Sequence, residues 1–117
     1  MKFRPVGKKR EPYPAWVLNL KHSSGVYAIE EGDRVVYVGE SHAGRLYGTL
    51  TRHFQEWSRN KQHWKGGYSQ HDPGLVYERS RCTVAVKVTP ANKAIAEQDK
   101  TIARLNPRDN IQGSSEY

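Results

Sequence analysis

Two short runs of β-branched and aromatic residues constrain the fold of this chain more than any other feature. They are residues 25–29 (GVYAI) and 35–39 (VVYVG), and the polar segment EEGDR lies between them. Such runs around a glycine-containing turn predict a β-hairpin. With the turn centred on Gly32, Tyr27 and Tyr37 would be directly opposed on one sheet face, with Cβ atoms about 5 Å apart. The hairpin is therefore expected to present two phenols side by side.

Two helices and one further strand are expected after the hairpin. Apolar residues recur at helical spacing from 43 to about 57, at Leu46, Leu50, Phe54 and Trp57. Residues 81–89 (RCTVAVKVT) alternate as a strand does, and Pro90 suits the first turn of a helix. The buried stripe expected in that last helix comprises Ala91, Ala94, Ile95, Ile102 and Leu105, and Pro107 follows its end.

These elements predict one α/β (α+β) domain with a small, three-stranded, mostly antiparallel sheet flanked by helices. The length of 117 residues suits a single domain. Residues 1–14 contain five Lys/Arg and three Pro, a composition that resists packing. We therefore expect a basic arm over residues 1–14 and the domain over residues 15–117. The arm either lies along phosphates or is a frayed terminus.

Charge and cysteine content narrow the class of partner and the compartment. The net charge of +7 favours a polyanionic partner, nucleic acid before an acidic membrane surface. Cys82 is the sole cysteine, so no internal disulfide forms, and a reducing, cytoplasmic location is expected. No apolar run is long enough to span a bilayer, and no membrane association is expected. A zinc site from His53, His63 and His71 with Cys82 is disfavoured, because their spacing matches no compact ligand motif.

The order of four motifs resembles the GIY-YIG nuclease family. The motifs are GVY at 25–27, YVG at 37–39, a following helix with arginines, and AEQDKTIARLNPRDN at 96–110. The resemblance covers about residues 24–111 and implies a DNA endonuclease that uses Mg²⁺ or Mn²⁺. The position after YVG, often Lys in the repair branch of the family, is Glu40 here, which places the chain outside that branch.

The resemblance also implies residue roles. Tyr27 is the favoured general base and Tyr37 orients the phosphate, although the two roles are exchangeable. Arg45 is preferred to Arg52 as the phosphate contact because it lies nearer the hairpin, but its spacing departs from the usual motif. His53 aligns water or contacts phosphate. The other implied roles are metal binding by Glu97, structural positions at Gly25 and Gly39, and a structural hydrogen bond from Asn110.

Cations and aromatic residues mix in the loop that follows the first helix, as they do on many nucleic-acid surfaces. The DNA-binding residues expected in this loop are Arg59, Lys61, Trp64 and Lys65, and Arg52 of the preceding helix is expected to bind DNA as well. A chain this short would find its substrate by the shape of the DNA, through its own loops, as a homodimer or through a protein partner. Two rival functions remain: a catalytically inactive nucleic-acid-binding module on the same scaffold, and a protein-interaction domain with incidental charge.

Overall fold

The protein, seen in a computed structural model, is described for residues 1–55 and 76–110. Four strands and three α-helices form an α+β domain within these ranges. The strands are β1 (Arg4–Pro5), β2 (Gly25–Glu31), β3 (Arg34–Ser41) and β4 (Cys82–Val88). The α-helices are α1 (Ala15–Leu18), α2 (Leu46–Thr51) and α3 (Ala94–Leu105), and 3-10 turns span Arg52–Phe54, Arg79–Arg81 and Ala91–Lys93. No described helix is both long and apolar enough to cross a bilayer.

The sheet is antiparallel throughout, with the strand order β1-β4-β2-β3. The hairpin β2–β3 and strand β4 confirm the three predicted strands, but the predicted strand count is wrong. The fourth strand is β1, whose Arg4 and Pro5 pair with Val84 and Thr83 of β4. Two residues that include a proline carry no strand periodicity, so only the long-range pairing reveals this strand.

The register of the hairpin corrects the predicted pairing of the two tyrosines. Tyr27 lies opposite Gly39, and Tyr37 lies opposite Ile29. The turn closes between Glu31 and Arg34, and Val36 is an extra residue in β3 that forms a β-bulge. Together these features slip the pairing by two residues. Tyr27 and Tyr37 remain on one sheet face as diagonal neighbours.

Each face of the sheet carries its own helical layer. On one face, which we call the α1–α2 face, Tyr27 and Ile29 pack with buried apolar residues of both short helices. These helix residues are Val17, Leu46 and Leu50. On the opposite face, the α3 face, Val26, Ala28 and Val38 pack against Ile102 and Leu105 of α3. Because side chains alternate along a strand, neighbouring residues of β2 contribute to different cores.

The helix predicted over residues 43–57 is shorter in the structure. It begins at Leu46, ends at Thr51 and continues as the 3-10 turn Arg52–Phe54. The Ser41 hydroxyl accepts hydrogen bonds from the backbone N–H groups of Ala43 and Arg45, so this stretch forms a turn instead of a first helical turn. Leu46 and Leu50 are buried as predicted, and Trp57 lies outside the described residues.

Helix α3 confirms the predicted last helix but not its whole buried stripe. Ala91 is exposed and Ile95 is 54% exposed, whereas Thr101, which was not predicted to be buried, is 1% exposed. The segment begins as a 3-10 turn at Ala91 with about three residues per turn. A buried stripe predicted by counting from Ala91 at the α-helical period is therefore out of phase with the face that is buried in the structure. The helix ends at Asn106, whose left-handed backbone conformation is typical of this position.

The N-terminal segment, expected as an arm that resists packing, is in part packed. Val6 is fully buried, and the largely buried Arg79 side chain fixes the backbone that follows it. The Arg79 guanidinium donates hydrogen bonds to the carbonyl oxygens of Val6 at 2.9 Å, Glu11 at 2.8 Å and Pro12 at 3.2 Å. It also lies over the Tyr13 ring, 3.8 Å from its centroid. One charged side chain thus holds a segment whose sequence gives no sign of order.

This anchor predicts unequal effects of removing two neighbouring arginines. Arg79→Ala should lower the free energy of unfolding by about 3 kcal/mol, because several hydrogen bonds from a charged group are lost at a buried site. Arg81→Ala removes the same charge from an exposed position of the same 3-10 turn and should change it by less than about 0.5 kcal/mol. Urea unfolding of the two variants provides the comparison. Equal effects would mean that Arg79 does not hold the N-terminal segment.

Candidate active site

A hydrogen bond between Tyr27 and His53 lies at the centre of the candidate site. Tyr27 Oη and His53 Nε2 are 2.8 Å apart, although the residues are 26 positions apart in the chain. Tyr27 is 1% exposed and His53 is 2% exposed. Packing of Leu46 and Leu50 on the sheet brings the 3-10 turn that holds His53 over β2. The imidazole and the phenol thus share one hydrogen bond in a largely buried environment.

Tyr37 completes a cluster of three rings on the α1–α2 face. Its ring centroid lies 4.6 Å from that of His53 and 6.2 Å from that of Tyr27. Tyr37 is half-buried, so it is the more accessible of the two phenols. The structure therefore brings together three of the residues predicted from the sequence, Tyr27, Tyr37 and His53.

Two glycines make close approaches possible around this cluster. A Cβ atom at Gly39 would overlap the Tyr27 phenol oxygen and would lie 2.5 Å from its Cζ atom. The absence of a side chain on Gly39 thus lets the Tyr27 phenol lie across β3. A Cβ atom at Gly25 would overlap the carbonyl oxygen of Lys87, so this glycine allows close pairing of β2 and β4.

Tyr77 and Asp109 also belong to the cluster, and sequence reasoning missed both. The Tyr77 ring lies 6.0 Å from that of His53, and its backbone N–H donates to the His53 carbonyl oxygen at 2.7 Å. The Tyr77 hydroxyl donates to Asp109 Oδ2 at 2.9 Å. Burial, with a smaller contribution from Asp109, raises the pKa of Tyr77 far above its usual value. The Tyr77 hydroxyl therefore stays protonated. The backbone hydrogen bond of Tyr77 fixes the position of the His53 backbone.

Residues 108–110 reach this cluster by running along the outer edge of β3, the last strand in the sheet order. Arg108 and Asp109 donate backbone hydrogen bonds to the carbonyl oxygens of Val35 and Val36. Asn110 Oδ1 accepts from the Val38 N–H, and its Nδ2 donates to the Val38 carbonyl, both at 2.8 Å. The amide of Asn110 thus pairs with the edge strand as a neighbouring strand would. A hydrogen bond from Arg108 holds the pKa of the Asp109 carboxyl below its usual value.

The two candidate phosphate-binding arginines lie in different surroundings. Arg45 is exposed and directly precedes α2, where its N–H donates to the Ser41 hydroxyl at 2.9 Å. Arg52 is half-buried and directly precedes His53 in the chain. The choice between them remains a prediction. The other expected DNA-binding residues, Arg59, Lys61, Trp64 and Lys65, lie outside the described residues.

The structure places Glu97 away from the ring cluster. Its carboxylate forms an ion pair with Lys87, with a Nζ–Oε2 distance of 3.0 Å. Lys87 pairs with Val26, so its side chain projects from the α3 face, whereas Tyr27 projects from the α1–α2 face. The hydrogen bond from Lys87 is also the main reason that the pKa of Glu97 is lowered.

These contacts test whether the predicted residues fit a divalent metal ion. The Glu97 carboxylate is already paired with an ammonium group, and the sheet lies between it and the Tyr27–His53 pair. Within residues 1–55 and 76–110, no three His, Cys, Asp or Glu side chains gather as metal ligands do. The described residues therefore do not fit a metal centre that joins Glu97 to the tyrosines.

The close approach at Gly39 predicts opposite effects for alanine at two glycines. Gly39→Ala should lower the free energy of unfolding by about 2 kcal/mol, because the new Cβ displaces the buried Tyr27 phenol. Gly48→Ala lies in α2 with no atom within 4 Å of the new Cβ, so it should raise stability by about 0.5–1 kcal/mol. Thermal and urea unfolding measure both. A neutral Gly39→Ala would show that the Tyr27 phenol does not cross β3.

No protein-family model, no curated protein and no solved structure matches this chain. A function for the chain must therefore be inferred from the motifs of the sequence and from the geometry around Tyr27 and His53.

Proposed function

We propose that this protein is a DNA endonuclease in which Tyr27 and His53 form the proton-accepting pair. The observation that carries the proposal is the 2.8 Å contact between Tyr27 Oη and His53 Nε2, beside the ring of Tyr37. Hydrolysis of a phosphodiester requires a group that removes a proton from the attacking water. A phenol hydrogen-bonded to an imidazole supplies such a group, because the imidazole accepts the phenol proton as the phenol oxygen accepts a proton from water.

The proposed step moves two protons within the Tyr27–His53 pair, forms one P–O bond and breaks another. The attacking water gives a proton to Tyr27 Oη while the phenol proton moves to His53 Nε2, and the hydroxide oxygen bonds to phosphorus. The bond from phosphorus to the leaving oxygen then breaks, solvent protonates the released oxygen, and the proton on His53 Nε2 returns to solvent. Tyr37, the more exposed phenol, lies beside His53 and is suited to orient the phosphate. Tyr37 as the base is the alternative assignment, and the contact between Tyr27 Oη and His53 Nε2 favours Tyr27.

Electrostatic stabilisation of the phosphate is assigned to a cation at the start or end of α2. Arg45 and Arg52 are the two candidates, and either would neutralise charge on the non-bridging oxygens. The net charge of +7 supports a polyanionic substrate. A divalent ion, Mg²⁺ or Mn²⁺, remains part of the proposal because of the resemblance to GIY-YIG nucleases. No step is assigned to it, since the described residues do not form its site.

A non-catalytic nucleic-acid-binding module is the second candidate function. The observation in its favour is the burial of Tyr27 and His53, which limits the approach of a phosphate to their shared proton. Their hydrogen bond would then only stabilise the core. Nicking of supercoiled plasmid DNA separates the two functions, because the module would bind plasmid without cutting it.

Tyr27→Phe tests the proposed chemistry with a minimal change. The ring still fills its place, but the phenol oxygen and its hydrogen bond to His53 are removed, so plasmid nicking with Mg²⁺ or Mn²⁺ should fall at least 100-fold. Tyr13→Phe is the matched control, because its ring packs against Arg79 and Tyr47 outside the cluster, and nicking should stay within about twofold. Nicking by Tyr27→Phe at the wild-type rate would exclude Tyr27 as the base.

Glu97→Gln tests the placement of Glu97 on the α3 face. Because the sheet separates this carboxylate from Tyr27, nicking should stay within about threefold of the wild-type rate. The resemblance to GIY-YIG nucleases implies the opposite result, a collapse of nicking. A collapse that higher Mg²⁺ or Mn²⁺ concentrations reverse would establish Glu97 as the metal ligand and would contradict this prediction.

A further inference from the structure

The N-terminal end of the chain carries an excess of positive charge. The first 24 residues contain six Lys or Arg and one acidic residue, Glu11. At the hairpin end of the sheet acidic residues outnumber basic ones, since Glu30, Glu31 and Asp33 lie at the turn with Arg34 and, close to Gly32, Arg81. A polyanion would therefore approach the N-terminal layer and be repelled from the hairpin turn.

Two of these cations lie over aromatic rings. The Arg4 guanidinium carbon is 4.5 Å from the centroid of the Trp16 ring, and Lys21 Nζ is 4.9 Å from that of the Tyr47 ring. Both cations are exposed and both rings are half-buried. Within residues 1–55 and 76–110, neither cation forms a salt bridge with a carboxylate. The rings therefore restrict the two side chains without neutralising their charge.

The two rings belong to one layer of the protein. Trp16 and Tyr47 both pack against the core of the α1–α2 face, the same core that contains Tyr27. Tyr13 also packs in this layer, with its ring 6.0 Å from that of Tyr47 and its face covered by Arg79. The hydrogen bonds of Arg79 fix the segment that leads from β1 to Tyr13. The positions of Arg4 and Lys21 are thus set by packed structure.

We propose that Arg4 and Lys21, held over Trp16 and Tyr47, bind phosphates of the DNA backbone and guide the substrate across the α1–α2 layer. This inference rests on the proposed function, because it assigns the path of the same substrate. Cations that are already ordered lose less conformational freedom on binding than free side chains do. Phosphate contacts of this kind fix the position of DNA without reading its sequence.

The same layer is less suited to an anionic membrane surface. A protein that lies on a membrane inserts aromatic and apolar side chains between lipid headgroups. Trp16 is half-buried, packs against the core and is covered by Arg4, so it does not project as an anchor. This layer exposes the apolar Leu18, which is 39% exposed, as well as the two cations on fixed supports. The two cations suit a backbone of regularly spaced phosphates.

The test measures the affinity of the whole chain for a labelled DNA duplex in EDTA, so that cleavage does not interfere. The double variant Arg4→Gln with Lys21→Gln should bind at least tenfold more weakly. The salt dependence of its log affinity should be shallower by about 2, since each phosphate that a cation neutralises adds about 0.9 to the slope. The matched control is Lys93→Gln with Lys100→Gln. It removes the same charge from the residue that precedes α3 and from a residue within α3, and it should weaken binding less than threefold.

A second pair of variants tests the supporting ring. Tyr47→Leu removes the ring beneath Lys21 but keeps every charge, and it should weaken binding about threefold. Tyr47→Phe keeps the ring and should bind as the wild type does. Circular dichroism checks that each variant is folded. Equal binding by Tyr47→Leu and Tyr47→Phe would overturn the role of the ring in holding Lys21.

The outcomes separate this inference from the proposed function. If the wild type does not bind DNA, both fail. If it binds DNA but the double variant and the α3 control are equally weak, or both unchanged, the inference alone is overturned. Vesicles of phosphatidylserine and phosphatidylcholine provide the other arm. Loss of vesicle binding in the double variant with unchanged DNA binding would assign the surface to membranes and would overturn the proposal.

Discussion

The Tyr27 phenol crosses the neighbouring strand at the position where that strand has no side chain. Gly39 leaves the space, the phenol fills it, and Tyr27 Oη meets His53 Nε2 at 2.8 Å. The turn between Glu31 and Arg34 and the β-bulge at Val36 together set the register that places Gly39, and not Tyr37, opposite Tyr27. The geometry of the cluster therefore depends on this register and on the missing side chain of Gly39. A directly opposed pair of tyrosines would have left no room for the phenol to cross β3.

The ring cluster is held from two distant parts of the chain. Tyr77 donates its backbone N–H to the His53 carbonyl, and its hydroxyl binds Asp109 in the segment that borders β3. Asn110 fixes that segment by two hydrogen bonds to Val38. A short motif such as LNPRDN thus has a physical role in this fold. It brings a carboxylate from the end of α3 around the sheet edge to the opposite face.

Local patterns in the sequence predicted the elements that depend on local interactions. The hairpin, β4 and α3 each contain their own periodicity, and each is present in the structure. The missed features all depend on partners far along the chain. Strand β1 forms because it pairs with β4, and Tyr77 belongs to the site because it hydrogen-bonds to His53. The β-bulge at Val36 cannot be predicted from the composition of β3. The buried stripe of α3 failed at Ile95 because a 3-10 turn precedes the helix.

The candidate site was predicted in part. Tyr27, Tyr37 and His53 lie together on the α1–α2 face, while Glu97 forms its ion pair with Lys87 on the α3 face. The central claim is that the imidazole of His53 takes part in proton transfer, and chemical rescue tests it most directly. His53→Ala should lose plasmid nicking and recover part of it when free imidazole is added, with no recovery in Tyr27→Phe. Nicking by His53→Ala at the wild-type rate without imidazole would contradict this role of the imidazole.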